Sequence, residues 1–226
     1  GDEGSTDCYT SSNKDESLAV DFPGSAPFAT DVGGTRMEDP TAATPTEYLW
    51  NEAPRWGASG GGISEHFPMP AYQGELPESG LGVIGPLSSG DACGFAGYCR
   101  EVPDVSADAD VQTGYVAFEN GGWLVDGGTS AAAPLWAAIA VLANASPACE
   151  GKPIGFANPA LYEIAAKHYA ANFRDITQPR PGGMPTTDRH DSAQPFPATV
   201  GYDMASGIGT PIAATLAASL CALANP

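Results

Sequence analysis

A serine stands where a glycine turn meets an alanine-rich segment, between Val125 and Ala137. The stretch reads Val-Asp-Gly-Gly-Thr-Ser-Ala-Ala-Ala-Pro-Leu-Trp-Ala, so a strand-like run ends in Gly127 and Gly128, and Ser130 opens an apolar helix. Glycines permit close backbone approach, and the first turn of a helix offers free N–H groups to a developing oxyanion. This arrangement is typical of a nucleophilic serine. An ordinary serine N-cap after a glycine turn has the same pattern.

A nucleophilic serine needs a base. Gly-Thr-Ser-Ala-Ala-Ala-Pro resembles the nucleophile motif of subtilisin-like folds, whose base is a histidine. His66 precedes Phe-Pro, His168 falls in an amphipathic helical pattern, and His190 stands in a polar stretch. None has the His-Gly-Thr setting of the subtilisin base, so we interpret each as a surface or packing residue. The 226 residues therefore do not favour an ordinary Ser-His-Asp subtilisin.

The elements around this serine predict an α/β domain with a largely parallel sheet flanked by helices. Helical patterns cover residues 130–145, 159–171 and 211–223, and each begins near a proline or a small polar residue. Strand-like runs at 114–118 and 122–125 flank Asn-Gly, a hairpin signal. The strands alternate with long helices, which favours parallel pairing. The polar, turn-rich stretch 35–89 is expected to be surface loop.

Composition excludes several classes of partner. The chain has 42% hydrophobic residues and a net charge of −18, with a pI of about 4.1. A surface this acidic repels nucleic acid and anionic membranes, and no apolar run is long enough to span a bilayer. Carboxylates lose their charge at low pH, so the acidity fits work in acid. It fits simple solubility or salt tolerance equally well.

Five cysteines favour an oxidising, extracellular setting over the cytosol. No Cys-x-x-Cys pair is present, so a zinc or thioredoxin-like site is not indicated. Cys93 and Cys99 bracket a short glycine-containing loop and could form a local disulfide, and Cys149 could join Cys221. Cys8 is then left over, which suggests a partner elsewhere. The sequence leaves the connectivity open.

Further motifs run nearly from end to end of the chain. They are Gly1-Asp-Glu-Gly-Ser, Asp21-Phe-Pro-Gly-Ser-Ala-Pro-Phe-Ala-Thr-Asp-Val-Gly-Gly-Thr, Ser59-Gly-Gly-Gly-Ile-Ser-Glu-His-Phe, Arg100-Glu-Val-Pro-Asp-Val-Ser-Ala-Asp-Ala-Asp, Gly127-Gly-Thr-Ser-Ala-Ala-Ala-Pro, Asn158-Pro-Ala-Leu-Tyr, Phe173-Arg-Asp-Ile-Thr and Gly201-Tyr-Asp-Met-Ala-Ser-Gly-Ile-Gly-Thr-Pro. In this order they resemble the sedolisins, which are serine-carboxyl peptidases. The resemblance implies a subtilisin-like fold. Residues 1–226 are then expected to be the C-terminal major part of one peptidase domain, with its N-terminal part absent.

The resemblance also implies roles for individual residues. Ser130 would be the nucleophile, a Glu its general base and an Asp the group behind that base. Asp2 matches the Asp of the family's Ser-Gly-Asp-x-Gly motif, which donates a hydrogen bond to the oxyanion and must be protonated to do so. The Glu/Asp pair belongs upstream of that motif. Glu65 and Glu119 stand in the wrong part of the family pattern to replace it.

The base is therefore expected on an N-terminal piece of the same precursor, to which the left-over Cys8 could form a disulfide. The 226 residues alone would then be inactive, and the implied partner besides that piece is a polypeptide substrate. Two alternatives stay open: a subtilisin-type enzyme completed by an upstream His and Asp, and a non-catalytic pseudopeptidase. The implied location is extracellular or an acidic, lysosome-like compartment.

Sedolisins carry a calcium site near the C-terminus, and the resemblance assigns it to two segments here. Asp175 and Asp203 would supply carboxylates, and Ile176, Thr199 and Gly201 would supply backbone carbonyls, with Thr199 replacing a family glycine. Oxygen-only ligation suits Ca²⁺. By contrast, the carboxylates of the 100–110 motif are interpreted as structural; they are Asp104, Asp108 and Asp110.

Overall fold

The computed structural model describes residues 1–53, 55–74, 93–94, 96–188 and 196–224. The elements in chain order are β1 (Val32–Glu38), β2 (Thr46–Leu49), β3 (Gly62–Pro68), α1 (Ala71–Gly74), β4 (Cys99–Val102), β5 (Val105–Asp108), β6 (Tyr115–Glu119), β7 (Gly122–Asp126), α2 (Thr129–Ala145), α3 (Asn158–Asn172), β8 (Phe173–Arg174), β9 (Thr210–Pro211) and α4 (Ala213–Ala224). The three predicted helices are confirmed as α2, α3 and α4. In this described part, no helix is both long and apolar enough to cross a membrane.

The central sheet has the strand order β2-β1-β5. β1 pairs with β5 in parallel and with β2 in antiparallel orientation. The expectation of a largely parallel sheet is therefore met only in part, because β1–β5 is the one parallel ladder between the strands named above. The short connection from β1 to β2 permits only antiparallel pairing, whereas the long excursion from β1 to β5 permits a parallel pair.

The interpretation of residues 35–89 as surface loop is wrong for the part that the structure describes. Most of β1 and all of β2 and β3 lie there, and Trp50 is only 1% exposed. The Trp50 ring lies against the backbone of β1, since a Cβ on Gly34 would come within 2.6 Å of Trp50 Cε3. Glycine and charged residues weaken the alternating pattern by which strands are recognised, which explains the error. Residues 75–89 lie outside the described ranges.

The core lies between this sheet and the three long helices. α2 packs on β1, β5 and α4, and α3 packs on α4. Trp136 donates a hydrogen bond from Nε1 to the carbonyl oxygen of Ser106 at 2.9 Å, which ties α2 to β5. The buried apolar side chains at the centre include Val105, Ala132, Trp136, Leu161, Ile164, Leu216 and Leu220. This packing holds the N-terminal end of α2, and thus Ser130, in place.

The hairpin before α2 is confirmed as β6–β7. Phe118 lies opposite Trp123, and Asn120 and Gly121 between the strands have φ values of 50° and 82°. Two positive φ values define the tight turn that matches the twist of a hairpin, and Asn-Gly favours it. β7 ends at Asp126, directly before the glycine turn that leads to Ser130.

Both suggested disulfides are present, Cys93–Cys99 and Cys149–Cys221. The second closes a 72-residue separation and joins the segment after α2 to α4. Cys8 is exposed and unpaired in the described chain. Closing a long loop restricts the unfolded chain, so the Cys149–Cys221 bond stabilises the helical layer.

The carboxylates of the 100–110 motif are buried and hydrogen-bonded, as expected of structural residues. Asp104 forms two 2.6 Å hydrogen bonds with the buried Arg100 guanidinium. Asp110 accepts a 2.7 Å bond from Arg36. Asp108 accepts the Met37 N–H and the Thr113 hydroxyl. No group of three or more acidic, histidine or cysteine side chains in the described ranges is arranged to hold a metal ion.

Candidate active site

The glycine turn before Ser130 is held by the end of β5. Gly128 has a φ of 78° and donates its N–H to the carbonyl oxygen of Ala109 at 2.6 Å. A Cβ on Gly127 would lie 2.7 Å from the same oxygen. Both positions therefore require glycine, one for its backbone angle and one for the close approach.

Ser130 is the second residue of α2, and its side chain is exposed. Its N–H belongs to the first turn, whose N–H groups have no acceptor within the helix. The cap position is taken by Gly128, so the alternative that Ser130 is merely an N-cap is wrong. Within the described residues, no side chain forms a hydrogen bond with the Ser130 hydroxyl.

Asp2 reaches the same helix end from the other end of the sequence. Its Oδ1 accepts two hydrogen bonds from Thr129, one from the backbone N–H and one from the hydroxyl, both of 2.8 Å. Its backbone is held too, because the Asp2 carbonyl oxygen accepts the Ala58 N–H at 2.9 Å. The structure thus brings together the two residues expected to carry the chemistry, Ser130 and Asp2.

An open cleft of about 470 Å³ runs between Asp2 and Ser130. Two further carboxylates line it, Asp21 and Asp31. Burial raises the pKa of Asp31 to about 6. Sequence reasoning did not single out these two residues, although both stand in the family motif that begins at Asp21. Their signal was their place in that motif, and only the fold shows that the motif faces the serine.

The alternative bases considered from the sequence that fall in the described residues do not line this cleft. Glu65 and His66 lie on β3, and Glu119 lies at the exposed end of the β6–β7 hairpin. His168 lies within α3, at a position where the helix is distorted (φ −144°, ψ 38°). His190 lies outside the described residues. The described residues thus supply Ser130 and three carboxyl groups to the cleft, and no side chain among them forms a hydrogen bond with the serine hydroxyl.

The five residues expected to bind calcium form a second site, at the junction of two loops. Gly201 donates its N–H to Asp175 Oδ2 at 2.9 Å, and Thr199 donates its N–H to Asp203 Oδ2 at 2.7 Å. Ile176, next to Asp175, is fully buried in a small apolar cluster. The segment that contains Thr199 and Gly201 therefore contacts both carboxylates through backbone N–H groups.

Asp203 is the more tightly held of the two carboxylates. Its Oδ1 accepts the N–H groups of Ala205 and Ser206 and the Ser206 hydroxyl, at 2.8 to 3.1 Å. Burial nevertheless raises the pKa of Asp203 to about 7. No basic side chain in the described ranges forms an ion pair with Asp175 or Asp203. A buried and a half-buried carboxylate without a basic partner fit a hard cation bound by oxygen ligands.

Comparison with known proteins gives consistent results. No family model matches the chain. It is 36% identical over 222 residues to kumamolisin from Bacillus sp. (strain MN-32), and the match covers 97% of the chain and 35% of kumamolisin. It is 33% identical over 230 residues to human tripeptidyl-peptidase 1, covering 100% of the chain and 36% of that protein. The chain thus spans about a third of the length of these relatives.

A solved structure shows the same fold. The structure of Pseudomonas sedolisin, a serine-carboxyl proteinase complexed with pseudo-iodotyrostatin, has a TM-score of 0.74 and 22% identity. The match covers 98% of this chain and 54% of that one. With the relatives above, it places the chain in a class, the peptidases of subtilisin-like fold. Within that class, the chain belongs to the sedolisin family of serine-carboxyl peptidases.

Proposed function

We propose that this chain is the serine-bearing part of an acid-acting serine-carboxyl peptidase that hydrolyses polypeptides through an acyl-enzyme on Ser130. The observation that carries the proposal is the meeting of Ser130 and Asp2 in one cleft, at the N-terminus of α2. Subtilisin-like geometry needs a nucleophile and an oxyanion donor side by side. Here the donor is a carboxyl group, which can donate only when it is protonated.

The reaction follows from these positions. Ser130 Oγ attacks the peptide carbonyl carbon, the C=O π pair moves to the oxygen, and the serine proton passes to the base. The oxyanion is stabilised by the Ser130 N–H and by the proton on Asp2. Collapse breaks the C–N bond, and the amine leaves with the proton returned by the base. Water then repeats the attack on the acyl-enzyme and restores the serine hydroxyl.

The base is proposed to be a Glu, with an Asp behind it, on a segment upstream of residue 1. The absence of a hydrogen-bonded partner for the Ser130 hydroxyl in the described chain supports this view. Cys8, exposed and unpaired, is proposed to join that segment through a disulfide. The Cys93–Cys99 and Cys149–Cys221 bonds support a secreted protein or one in an acidic, lysosome-like compartment.

We also propose that Asp175 and Asp203 bind Ca²⁺, together with backbone carbonyls of Ile176, Thr199 and Gly201. The bound ion would supply positive charge to the buried Asp203 and the half-buried Asp175. Its contribution is structural: it would hold the 199–206 loop against β8, because Asp175 directly follows that strand. The catalytic cleft has its own residues, and no step of the reaction involves the ion.

The test of the peptidase proposal uses protein expressed from the complete reading frame and assayed with a peptide substrate from pH 3 to 8. We expect hydrolysis that is strongest in acid, is lost by at least about a thousandfold in Ser130→Ala, and is unchanged in the surface control Ser11→Ala. The 226-residue chain alone should be inactive. Activity that peaks near neutral pH would indicate the subtilisin-type alternative. A protein that folds but does not cleave would indicate the pseudopeptidase.

A further inference from the structure

Thr129, the residue before the nucleophile, makes both hydrogen bonds that reach the Asp2 carboxyl group. Its N–H and its hydroxyl both donate to Oδ1. The other oxygen, Oδ2, accepts no hydrogen bond within the described residues and lies beside Gly128, where a Cβ would come within 2.5 Å of it. One oxygen is therefore taken by donors, and the other is open.

This asymmetry decides where a proton can reside on Asp2. A backbone N–H can only donate, so the oxygen facing it must offer a lone pair. In a neutral carboxyl group the carbonyl oxygen is the better acceptor, and the protonated oxygen is the donor. With Oδ1 facing the Thr129 N–H, the proton belongs on Oδ2, the oxygen that no protein donor occupies.

We infer that Thr129 is a positioning residue that orients the Asp2 carboxyl group and directs its proton to Oδ2, toward the oxyanion that forms at Ser130. This inference rests on the proposed function. The Thr129 hydroxyl donates a second hydrogen bond to Oδ1, in addition to the bond from the N–H. The Thr129 side chain is buried (9% exposed), so it has few other orientations. Without the hydroxyl, the carboxyl group keeps one donor and can rotate about its Cβ–Cγ bond.

A purely structural reading of the same contacts predicts a different result. Asp2 also satisfies a free N–H at the start of α2, as a capping side chain does. If this were the whole role of Thr129, its substitution would lower thermal stability without a specific effect on the transition state. A positioning role lowers kcat and leaves KM unchanged, because the oxyanion exists only after substrate has bound.

The test compares Thr129→Val, which keeps the shape and removes the hydroxyl, with Thr129→Ser, which keeps the hydroxyl, in protein from the complete reading frame. Thr129→Ala serves if the valine variant does not fold. We expect the valine variant to lose about tenfold in kcat with KM within about twofold, the scale of one hydrogen bond. The serine variant should stay within about twofold of wild type.

A peptide aldehyde gives a second readout. Its carbonyl carbon bonds to the serine oxygen, and the C=O π pair moves to the carbonyl oxygen. That oxygen occupies the oxyanion position, takes up the serine proton and becomes the hemiacetal hydroxyl. Its inhibition constant should rise in Thr129→Val by the same factor as kcat falls. Thr210→Val is the matched control, since Thr210 is a buried threonine that donates to Glu47 at 2.6 Å. It should lose stability and keep wild-type kcat.

Wild-type kcat in Thr129→Val would overturn the inference, as would equal losses in the valine and serine variants or a KM that changes in step with kcat. The proposed function fails separately, if Ser130→Ala keeps activity. If Ser130→Ala and Asp2→Ala are inactive while Thr129→Val behaves like wild type, the peptidase stands and only the role of Thr129 falls. A wild-type protein without peptidase activity overturns both.

Discussion

The two acidic sites of this molecule differ in the burial and hydrogen bonding of their carboxylates. Asp2, at the start of α2, is half-buried and receives hydrogen bonds on one oxygen only. Asp203, in the loop after residue 196, is buried and receives hydrogen bonds on both oxygens, three of them from backbone N–H groups. Asp2 is held by Thr129, which is distant in sequence, and Asp203 is held by donors from its own loop. Neither is a free surface carboxylate.

The difference matches the two roles proposed above, a group that reacts and a group that holds an ion. An open Asp2 oxygen in the cleft that Ser130 also lines is free to meet a substrate atom. The three donors on Asp203 Oδ1 fix the orientation of that carboxylate, and Oδ2, with one donor, keeps a lone pair for a stationary cation. The pattern of hydrogen bonds to each carboxylate therefore distinguishes the two proposed roles, although both residues are aspartates.

The largest effect is expected at the cleft. Asp2→Ala should lower kcat by about 10²- to 10³-fold with little change in KM, the loss typical of one oxyanion donor. Asp2→Asn should lose less, because its amide can donate without being protonated while its oxygen still accepts from Thr129. Steady-state kinetics at the acidic optimum measure both. An alanine variant with wild-type kcat would remove Asp2 from the oxyanion site.

A smaller effect is expected at the loop site. Ca²⁺ should raise the Tm of the protein, by the equivalent of about 2.7 kcal/mol at a hundred times the Kd, and a chelator should reverse this. Asp203→Asn should abolish the Ca²⁺ response and lower the Tm without Ca²⁺, because its NH₂ group would face N–H donors. Asp15→Asn, at an exposed loop, is the control. A full Ca²⁺ response in Asp203→Asn would contradict the assignment.

The smallest effect concerns Asp108, the last residue of β5, one residue before the Ala109 carbonyl that holds the glycine turn. Burial raises the pKa of Asp108 to about 6 from an ordinary value near 3.8. The folded chain thus keeps this proton to higher pH than the unfolded chain does, so the free energy of unfolding falls as pH rises from about 4 to about 6.

Asp108→Asn should remove part of that pH dependence. We expect the Tm difference between pH 4 and pH 7 to shrink by about 3 °C, the shift that about 1 kcal/mol produces in a domain of this size. The exposed Asp39→Asn should leave the difference unchanged. Equal slopes in wild type and Asp108→Asn would show that this carboxyl group does not contribute to acid stability.

Much of the fold could be predicted from local pattern. The helices α2, α3 and α4 and the Asn-Gly hairpin follow from apolar periodicity and turn residues, which act within a few positions. The end of β1 and all of β2 and β3 were assigned to a surface loop, and in β1 the pattern is weakened by Gly33 and Gly34, which stand where a strand expects apolar side chains. The reason for Gly34 is the Trp50 ring, which packs against its bare backbone from 16 residues away in sequence. Contacts of this kind leave no local signal.

For the candidate site, the sequence by itself determined residue identity. It showed a serine after two glycines, an aspartate in a family motif near the start, and two loop aspartates that match the segments in which the family resemblance implies a calcium site. Only the tertiary structure decided that Asp2 and Ser130 share a cleft, which Asp2 oxygen is open, and that Asp31 lines the same space. These depend on contacts such as that between the Thr129 N–H and the Asp2 side chain, which are 127 residues apart in sequence and within hydrogen-bond distance in the fold. Hydrogen bonds act over about 3 Å, so their partners are settled only when the chain has folded.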